Sequence, residues 1–195
     1  TLGYKVAFIP APKGVWDMTV FENELTPDTI LVSAMLVNNE TGAVNDIAKI
    51  AAAARKASPD VIIHCDAVQG YMRLPKSLLF PADIVTVSAH KIGGPKGAGA
   101  LFASEGVIKK KSMIPVIFGG GQEHGLRSGT ENVLGIAGFG AAVDYFANNQ
   151  TSVYSHFDRL YSYAVDRFSA LGNDGISLNI PQTERVAHHI LSVTA

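Results

Sequence analysis

A lysine at the end of an apolar, strand-like run has the most reactive surroundings in this sequence of 195 residues. Lys91 lies within the segment Ser-Ala-His-Lys-Ile-Gly-Gly-Pro-Lys-Gly (88–97). This segment directly follows the apolar run 82–87. Ser88 and His90 precede it, and a Gly-Gly-Pro loop follows it. Because partial burial disfavours the ammonium form, the free amine becomes accessible there for Schiff-base chemistry with a carbonyl compound. The alternative is an ordinary surface lysine in a turn.

An aspartate at the end of a second apolar run completes the chemical pattern. Asp66 follows the run 61–65 and is itself followed by Ala-Val-Gln. A lysine and an acid at the ends of two successive strands are the groups that pyridoxal phosphate requires, since the lysine binds its aldehyde and the acid pairs with the pyridinium nitrogen. Asp66 could instead cap a following helix. Together, Asp66 and Lys91 predict a pyridoxal phosphate enzyme.

Four sequence blocks resemble one family in order and spacing. They are Val-Asn-Asn-Glu-Thr-Gly (37–42), His-Cys-Asp-Ala-Val-Gln (64–69), the lysine block 88–97, and Gly-Gly-Gly-Gln-Glu-His-Gly-Leu-Arg-Ser-Gly-Thr-Glu-Asn-Val (119–133). They resemble the pyridoxal phosphate-dependent cysteine desulfurases of the NifS and IscS type, in the class V aminotransferase group with a fold-type-I large domain. The resemblance covers nearly the whole chain and is weakest after about residue 151.

The resemblance implies a role for each matching residue around the pyridine ring. Lys91 would hold the cofactor as a Schiff base and move protons once the substrate amine displaces it. Asp66 would keep the ring nitrogen protonated, which makes the ring a better electron sink. Asn39 and Gln69 would hydrogen-bond the phenolic oxygen, although each could also be an ordinary loop amide.

The phosphate of the cofactor is assigned to three further residues on the same basis. Ser88 and His90 match the phosphate-binding pair beside the lysine, and a hydroxyl with an imidazole suits an anion. Thr130 matches a phosphate ligand that reaches the cofactor of a partner subunit, and it could also cap the helix after it. The resemblance therefore implies a homodimer with shared sites.

The implied reaction converts L-cysteine to L-alanine and leaves a persulfide, whose sulfur passes to an acceptor protein for iron-sulfur cluster assembly. The family's first half of the large domain, its mobile catalytic cysteine and its carboxylate-binding arginine have no match in the sequence. We therefore expect the 195-residue chain to be part of a longer protein, and by itself to bind pyridoxal phosphate weakly or not at all and to be inactive. Alternatives are another class V enzyme, such as an aminotransferase or selenocysteine lyase, and a non-catalytic truncated scaffold.

Other reactive side chains receive no role in this reaction. Cys65 lies in the middle of a strand, where burial raises the pKa of a thiol and makes it inert, so we reject it as the sulfur acceptor. His188 and His189 lack a second ligand pair at metal spacing, so no metal site is predicted. Glu123 and His124 lie in the glycine-rich loop without an assignable role.

Composition excludes several classes of function. A net charge of −1 gives no electrostatic reason to expect nucleic acid or an anionic membrane as a partner. No apolar run reaches the length of a membrane span, and nothing resembles a signal peptide. A single cysteine suits a reducing compartment, so we expect a cytoplasmic protein. With 47% hydrophobic residues, a large buried core is expected.

Strands alternating with helices predict an α/β fold with a mostly parallel sheet flanked by helices. The predicted strands are 5–9, 29–37 (buried on both faces), 61–65, 84–88, 98–103 (a hairpin partner) and 189–193. Asn45 is predicted to cap a helix over 46–56, and Thr130 a helix over 131–147. Residues 148–150 (Asn-Asn-Gln) are predicted to break that helix. Residues 1–148 would then belong to the large domain, and residues 149–195, opening with a second long helix, would start a small α+β domain.

Overall fold

The computed structural model describes residues 3–110, 113–171 and 175–195. Four strands form the main sheet in the order β1-β2-β3-β4. They are β1 (Leu31–Met35), β2 (Ile62–Asp66), β3 (Ile84–Ser88) and β4 (Gly99–Ala103). The first three are parallel and β4 returns antiparallel to β3, which confirms the predicted hairpin partner and the mostly parallel α/β class.

Four helices and a small second sheet complete the described architecture. The helices are α1 (Met18–Glu24), α2 (Ile47–Ala57), α3 (Glu105–Lys109) and α4 (Val133–Ala170). The second sheet pairs β5 (Ser177–Leu178) with β6 (Val193–Thr194) in antiparallel orientation. No helix in the described ranges is long and apolar enough to cross a membrane.

One face of the sheet forms the core with α1 and α2. In β1, Val32 and Ala34 are buried while Leu31 is 54% exposed, as expected when side chains alternate along a strand. Ile63 and Cys65 of β2 continue this buried face. The prediction of a strand buried on both faces is therefore wrong for β1, because the described helices pack on only one side of it.

Helix α2 shows the expected apolar face but a different cap. Its buried residues are the four predicted ones, Ile47, Ile50, Ala51 and Ala54. Asp46 caps it, with a carboxylate oxygen that accepts from Lys49 N at 3.0 Å. The buried Asn45 instead donates to Met35 O at 3.0 Å and accepts from Trp16 N at 3.3 Å. The predicted cap is wrong because the Asn45 side chain bonds the segment before α2 to the end of β1.

Helix α4 runs unbroken for 38 residues, so the predicted helix break over 148–150 is wrong. Asn149 Nδ2 donates to Tyr145 O at 2.8 Å, and Gln150 Nε2 donates to the hydroxyl of Tyr154 at 2.8 Å. These amides bond within the helix, so they do not end it. The division of the chain at 148/149 into two domains stays a prediction.

The two terminal strand predictions fare differently. Residues 5–9 form no strand, because they make no ladder with any described strand and most of them are exposed. Near the other end, Val193 alone of the predicted range 189–193 lies in a described strand, β6. The preceding residues are held by a hydrogen bond from Ala187 N to Gly42 O of 2.8 Å and by an antiparallel bridge between Ala43 and Val186.

Candidate functional site

The carboxyl ends of three parallel strands bring most of the predicted site residues to one edge of the sheet. Met35 at the end of β1 is in register with Asp66, and Asp66 is in register with Thr86 of β3. Asn39 follows β1, Asp66 and Gln69 stand at and after the end of β2, and the lysine block follows β3. Open parallel sheets bind ligands beyond this edge.

Asp66 is held by the backbone on both sides. Its carbonyl accepts from Leu36 N at 2.8 Å, which ties it to the end of β1. One carboxylate oxygen accepts from Val68 N at 2.9 Å and so stabilises the turn after β2. The described residues place no hydrogen-bond donor on its second carboxylate oxygen. Asp66 thus caps a turn and keeps an acceptor for another group.

Ser88 and His90 form a polar pair at the end of β3. Ser88 Oγ and His90 Nδ1 share a hydrogen bond of 2.7 Å, and the His90 ring is exposed. The other ring nitrogen of His90 has no hydrogen-bond partner in the described part of the chain. A hydroxyl and an imidazole fixed to one another suit an anionic group.

Lys91 lies in a short 3₁₀ turn, Ala89–Ile92, that follows β3 directly. Ala89 and Ile92 on either side of it are buried and anchor the turn, whereas the lysine itself is only partly exposed. Arg73 Nη2 donates to the backbone carbonyl of Lys91. The Lys91 amine makes no hydrogen bond or ion pair within the described residues.

Two predicted site residues are exposed, and their side chains make no hydrogen bond in the described part of the chain. Asn39 is exposed at the tip of a turn, and it is Asn38 that makes the bonds there, since its Oδ1 accepts from Glu40 N and Thr41 N at 3.0 Å each. Thr130 is exposed, and α4 is capped by Asn132 instead, which accepts from Gly135 N at 3.0 Å. The prediction of a Thr130 cap is therefore wrong. The cofactor roles of Asn39 and Thr130 stay predictions.

The buried cysteine behaves as expected from the sequence. Cys65 has no exposed surface, and burial raises the pKa of its thiol to about 12, with the neighbouring Asp66 charge acting in the same direction. The prediction that this thiol is buried, with a raised pKa, is confirmed.

The paired histidines lie in a turn and face different surroundings. His188 Nδ1 contacts Asp158 Oδ1 at 2.7 Å, and its ring stacks on Tyr161 with 4.4 Å between centroids. Burial above all, together with the Arg73 charge, lowers the pKa of His189 to about 4. No group of three histidine, cysteine or acidic side chains in the described ranges is placed to bind a metal. Glu123 and His124 form an exposed turn with left-handed backbone, and it suggests no role.

Sequence reasoning missed Arg73 and its neighbours. Arg73 follows Gly-Tyr-Met and precedes Leu-Pro, a pattern typical of an exposed loop. Its contact with Lys91 depends on how the turn after β2 meets the turn after β3. No spacing rule in the sequence contains that information.

Comparison with known proteins decides the family. A sequence model of the family described as "Aminotransferase class-V" matches residues 1–195. The chain belongs to the class V aminotransferase family. Enzymes of this family depend on pyridoxal phosphate, so the predicted family and cofactor are confirmed.

Individual members of the class V family resemble the chain over much of its length. It is 38% identical over 171 residues to "Cysteine desulfurase IscS" of Rickettsia typhi, covering 85% of this chain and 39% of that protein. It is 44% identical over 147 residues to "Cysteine desulfurase IscS" of Anaeromyxobacter dehalogenans, covering 73% and 35%. A solved "NifS-like protein" superposes with a TM-score of 0.86 at 35% identity, covering 98% of this chain and 51% of that one. The chain thus spans between about a third and a half of these proteins.

The donor groups at the sheet edge fit pyridoxal phosphate. Lys91 offers a primary amine for an aldehyde, and Asp66 offers a carboxylate oxygen without a donor of its own in the described residues. The bonded pair of Ser88 and His90 supplies the polar atoms that a phosphate needs. Amine, carboxylate and anion-binding pair lie beyond neighbouring parallel strands, which is the arrangement that this cofactor requires.

Proposed function

We propose that the full-length protein is a pyridoxal phosphate-dependent cysteine desulfurase that converts L-cysteine to L-alanine and transfers the sulfur to a thiol. One observation carries the proposal: Asp66, the Ser88–His90 pair and Lys91 lie at or directly after the carboxyl ends of neighbouring parallel strands, at a single edge of the sheet. The relatives named cysteine desulfurase IscS support the choice of L-cysteine within the class V family.

Each residue at the edge has a separate task in this proposal. Bound pyridoxal phosphate supplies an electron sink for the substrate carbon next to the amine. The Lys91 amine holds the cofactor and takes up or returns protons at that carbon. The Asp66 carboxylate keeps a proton on the ring nitrogen, and Asn39 and Gln69 hydrogen-bond the phenolic oxygen.

Anion binding falls to the residues after β3 and to a second subunit. Ser88 and His90 hold the phosphate through their hydroxyl and imidazole groups. Thr130 contributes to the phosphate site of a partner subunit, so the working unit is a homodimer. Both Asn39 and Thr130 are exposed in the single chain and therefore accessible to another molecule.

The thiol that takes the sulfur is not Cys65. That cysteine is the only one among the 195 residues, and its side chain is fully buried with a pKa of about 12. A thiol of this kind is rarely the reactive thiolate near neutral pH. We therefore propose that the acceptor thiol lies elsewhere in the full-length protein, and that the 195-residue chain alone releases no sulfide. We further propose that the sulfur passes to an acceptor protein for iron-sulfur cluster assembly in the cytoplasm.

Cofactor capture tests the site directly. Full-length protein mixed with pyridoxal phosphate should show a visible absorption band that borohydride bleaches, with the reduced cofactor attached to Lys91. Lys91→Ala should abolish covalent capture, and Asp66→Ala should weaken binding and shift the band. Unchanged capture in Lys91→Ala, measured by mass spectrometry of the peptides, would show that another lysine serves the cofactor.

Sulfide release tests the substrate. With L-cysteine and a thiol reductant, the full-length protein should release sulfide and alanine in equal amounts, and the 195-residue chain should release none. Turnover of selenocysteine without cysteine, or amino transfer to a keto acid, would assign the protein to another class V activity. Turnover by the short chain that is lost in Cys65→Ser would overturn the dismissal of Cys65.

A further inference from the structure

Arg73 joins the turn after β2 to the turn that carries Lys91. Its Nη2 donates to the Lys91 backbone carbonyl, and its guanidinium carbon lies 5.8 Å from the centroid of the Phe157 ring of α4. No carboxylate pairs with this guanidinium among the described residues. The partly buried guanidinium is therefore held by a carbonyl oxygen and an aromatic ring, and not by an acid.

The backbone next to Arg73 is strained at Met72. Met72 has a φ of 60°, a left-handed conformation that is uncommon for a bulky residue without constraint. Its carbonyl accepts a hydrogen bond from the Tyr154 hydroxyl of α4 at 3.3 Å. Local strain of this kind persists only where surrounding contacts fix it.

The turn that carries Arg73 begins directly after Asp66, another candidate cofactor residue. Gly70 N and Tyr71 N both donate to Ala67 O, at 3.0 and 2.8 Å, and Leu74 N donates to Gly70 O at 2.9 Å. This chain of bonds starts one residue after Asp66 and ends one residue after Arg73. Arg73 is therefore the bridge between the Asp66 turn and the Lys91 turn.

The third neighbour of Arg73 is the C-terminal segment. The His189 ring packs against Phe157 with 5.7 Å between centroids, and it is neutral near pH 7 because burial lowers its pKa. Arg73 Nε and His189 Nε2 are both buried without a hydrogen-bond partner in the described part of the chain. A neutral imidazole places no second positive charge against the guanidinium, so the cluster can hold Arg73 at the carbonyl of Lys91.

We propose that Arg73 is a positioning residue, which fixes the Ala89–Ile92 turn through the Lys91 carbonyl and so holds the Lys91 amine in place relative to Asp66. The effect of Arg73 on catalysis rests on the proposed function. The structural effect of Arg73 on the turn is independent of that function and is measured separately. A hydrogen bond from a charged donor is stronger than a neutral one, so its loss should release the turn measurably.

Hydrogen exchange on the cofactor-free full-length protein tests the fixing of the turn. In Arg73→Met, amides 89–94 should exchange about tenfold faster than in the wild type, which corresponds to about 1.4 kcal/mol. Arg73→Lys keeps a charged donor and should give an intermediate rate. Wild-type exchange rates in amides 89–94 of both variants would overturn the proposal.

Arg55 offers a matched control for these variants. Its Nη2 also donates to a backbone carbonyl, Pro81 O, at 3.0 Å, and pairs with Asp83 at 2.9 Å. It lies on α2, and Asp83 precedes the opposite end of β3 from Lys91. Arg55→Met should lower overall stability while amides 89–94 keep their wild-type rate relative to the rest of the sheet.

Borohydride trapping separates the two levels of the claim. In loaded full-length protein, Arg73→Met should incorporate reduced cofactor at Lys91 several-fold more slowly than wild type, with partial rescue in Arg73→Lys. A wild type that is never trapped at Lys91 overturns the proposed function. Normal trapping at wild-type rate in Arg73→Met, with the wild type trapped at Lys91, overturns the positioning role alone.

Discussion

At the scale of single residues, Cys65 and Asp66 show how adjacent positions on one strand acquire opposite properties. Cys65 points into the core and is fully buried, whereas Asp66 ends β2 and keeps part of its surface exposed. Successive side chains of a strand point to opposite faces, and the strand end brings the second one to the edge. The thiol is removed from solvent while the acid stays available.

The environment of Cys65 predicts low chemical reactivity. Since its pKa is about 12, the thiolate is scarce near neutral pH, and burial also blocks access. In folded full-length protein, iodoacetamide should label the Cys65 peptide more than about a hundredfold more slowly than in unfolded protein, where thiols react normally. Mass spectrometry of that peptide at several times measures the rate. Similar labelling in both states would contradict the buried placement.

The sequence predicted the positions of residues that depend on a single strand, and it missed a contact that depends on two chain segments meeting. Lys91, Asp66 and Cys65 were placed correctly because each stands at a recognisable point of an apolar run. Arg73 was missed because its partner is the backbone carbonyl of a distant turn. Backbone carbonyls leave no trace in residue type or spacing.

At the scale of elements, the loop after β1 contacts the C-terminal segment at a glycine, Gly42. Gly42 has a φ of +76°, and its carbonyl accepts from Ala187 N at 2.8 Å. A Cβ on this residue would lie 3.1 Å from Ile190 O and 3.2 Å from Ala187 O. The close approach of two backbones thus requires glycine both for its conformation and for its missing side chain.

Substituting Gly42 should separate these two requirements. Gly42→Ala should lower the free energy of unfolding by about 2 kcal/mol, since it adds contact with the C-terminal segment to the strain of a left-handed backbone. Gly125→Ala is the control, because Gly125 has a φ of +79° with nothing within 4 Å of its Cβ position. It should cost only about 1 kcal/mol in the same urea titration. Equal costs would show that the loop and the segment do not meet closely.

Elements were predictable where one local pattern decides them. The β-branched apolar runs located β1, β2 and β3 to within a few residues, and the spacing of apolar residues gave the buried face of α2. The break predicted in α4 failed because Asn149 and Gln150 bond along the helix. Whether polar amides end a helix or lie within it depends on contacts that composition does not reveal.

At the scale of the whole molecule, α4 leaves an apolar cavity against the sheet. The cavity has a volume of about 880 Å³ and includes Val85 and Val87 of β3, Phe102 of β4, and Ile136 and Phe139 of α4. Phe102 is 59% exposed, although it lies on the same face as the core. Sequence reasoning predicted a large buried core, but it did not predict that apolar residues of β4 and α4 would remain exposed around a cavity.

The opposite end of α4 closes onto the C-terminal segment around His189. Phe157 of α4 packs against this imidazole, and Arg73 lies close enough for its charge to lower the pKa of His189. The Gln69 backbone raises that pKa, but burial dominates. Helix α4, the turn that carries Arg73 and the C-terminal segment therefore meet at one neutral side chain.

Stability should consequently fall in mild acid. The pKa of His189 is about 4 in the folded protein against 6.5 for the unconstrained side chain. Between these values the unfolded state binds the proton and the folded state does not. The contribution of His189 is therefore complete above about pH 6.5 and is lost progressively as the pH falls towards 4. The complete loss amounts to roughly 3–4 kcal/mol, since each pKa unit is worth about 1.4 kcal/mol.

Urea titrations of full-length protein between about pH 7 and pH 4.5 measure this loss. His189→Gln keeps a polar group of similar reach but cannot take up a proton, so its free energy of unfolding should vary less across this range than that of the wild type. His156→Gln is the control for the substitution itself, because His156 is an exposed histidine of α4. If His189→Gln retains the full slope, other groups cause the loss of stability in acid, and folding does not lower the pKa of His189.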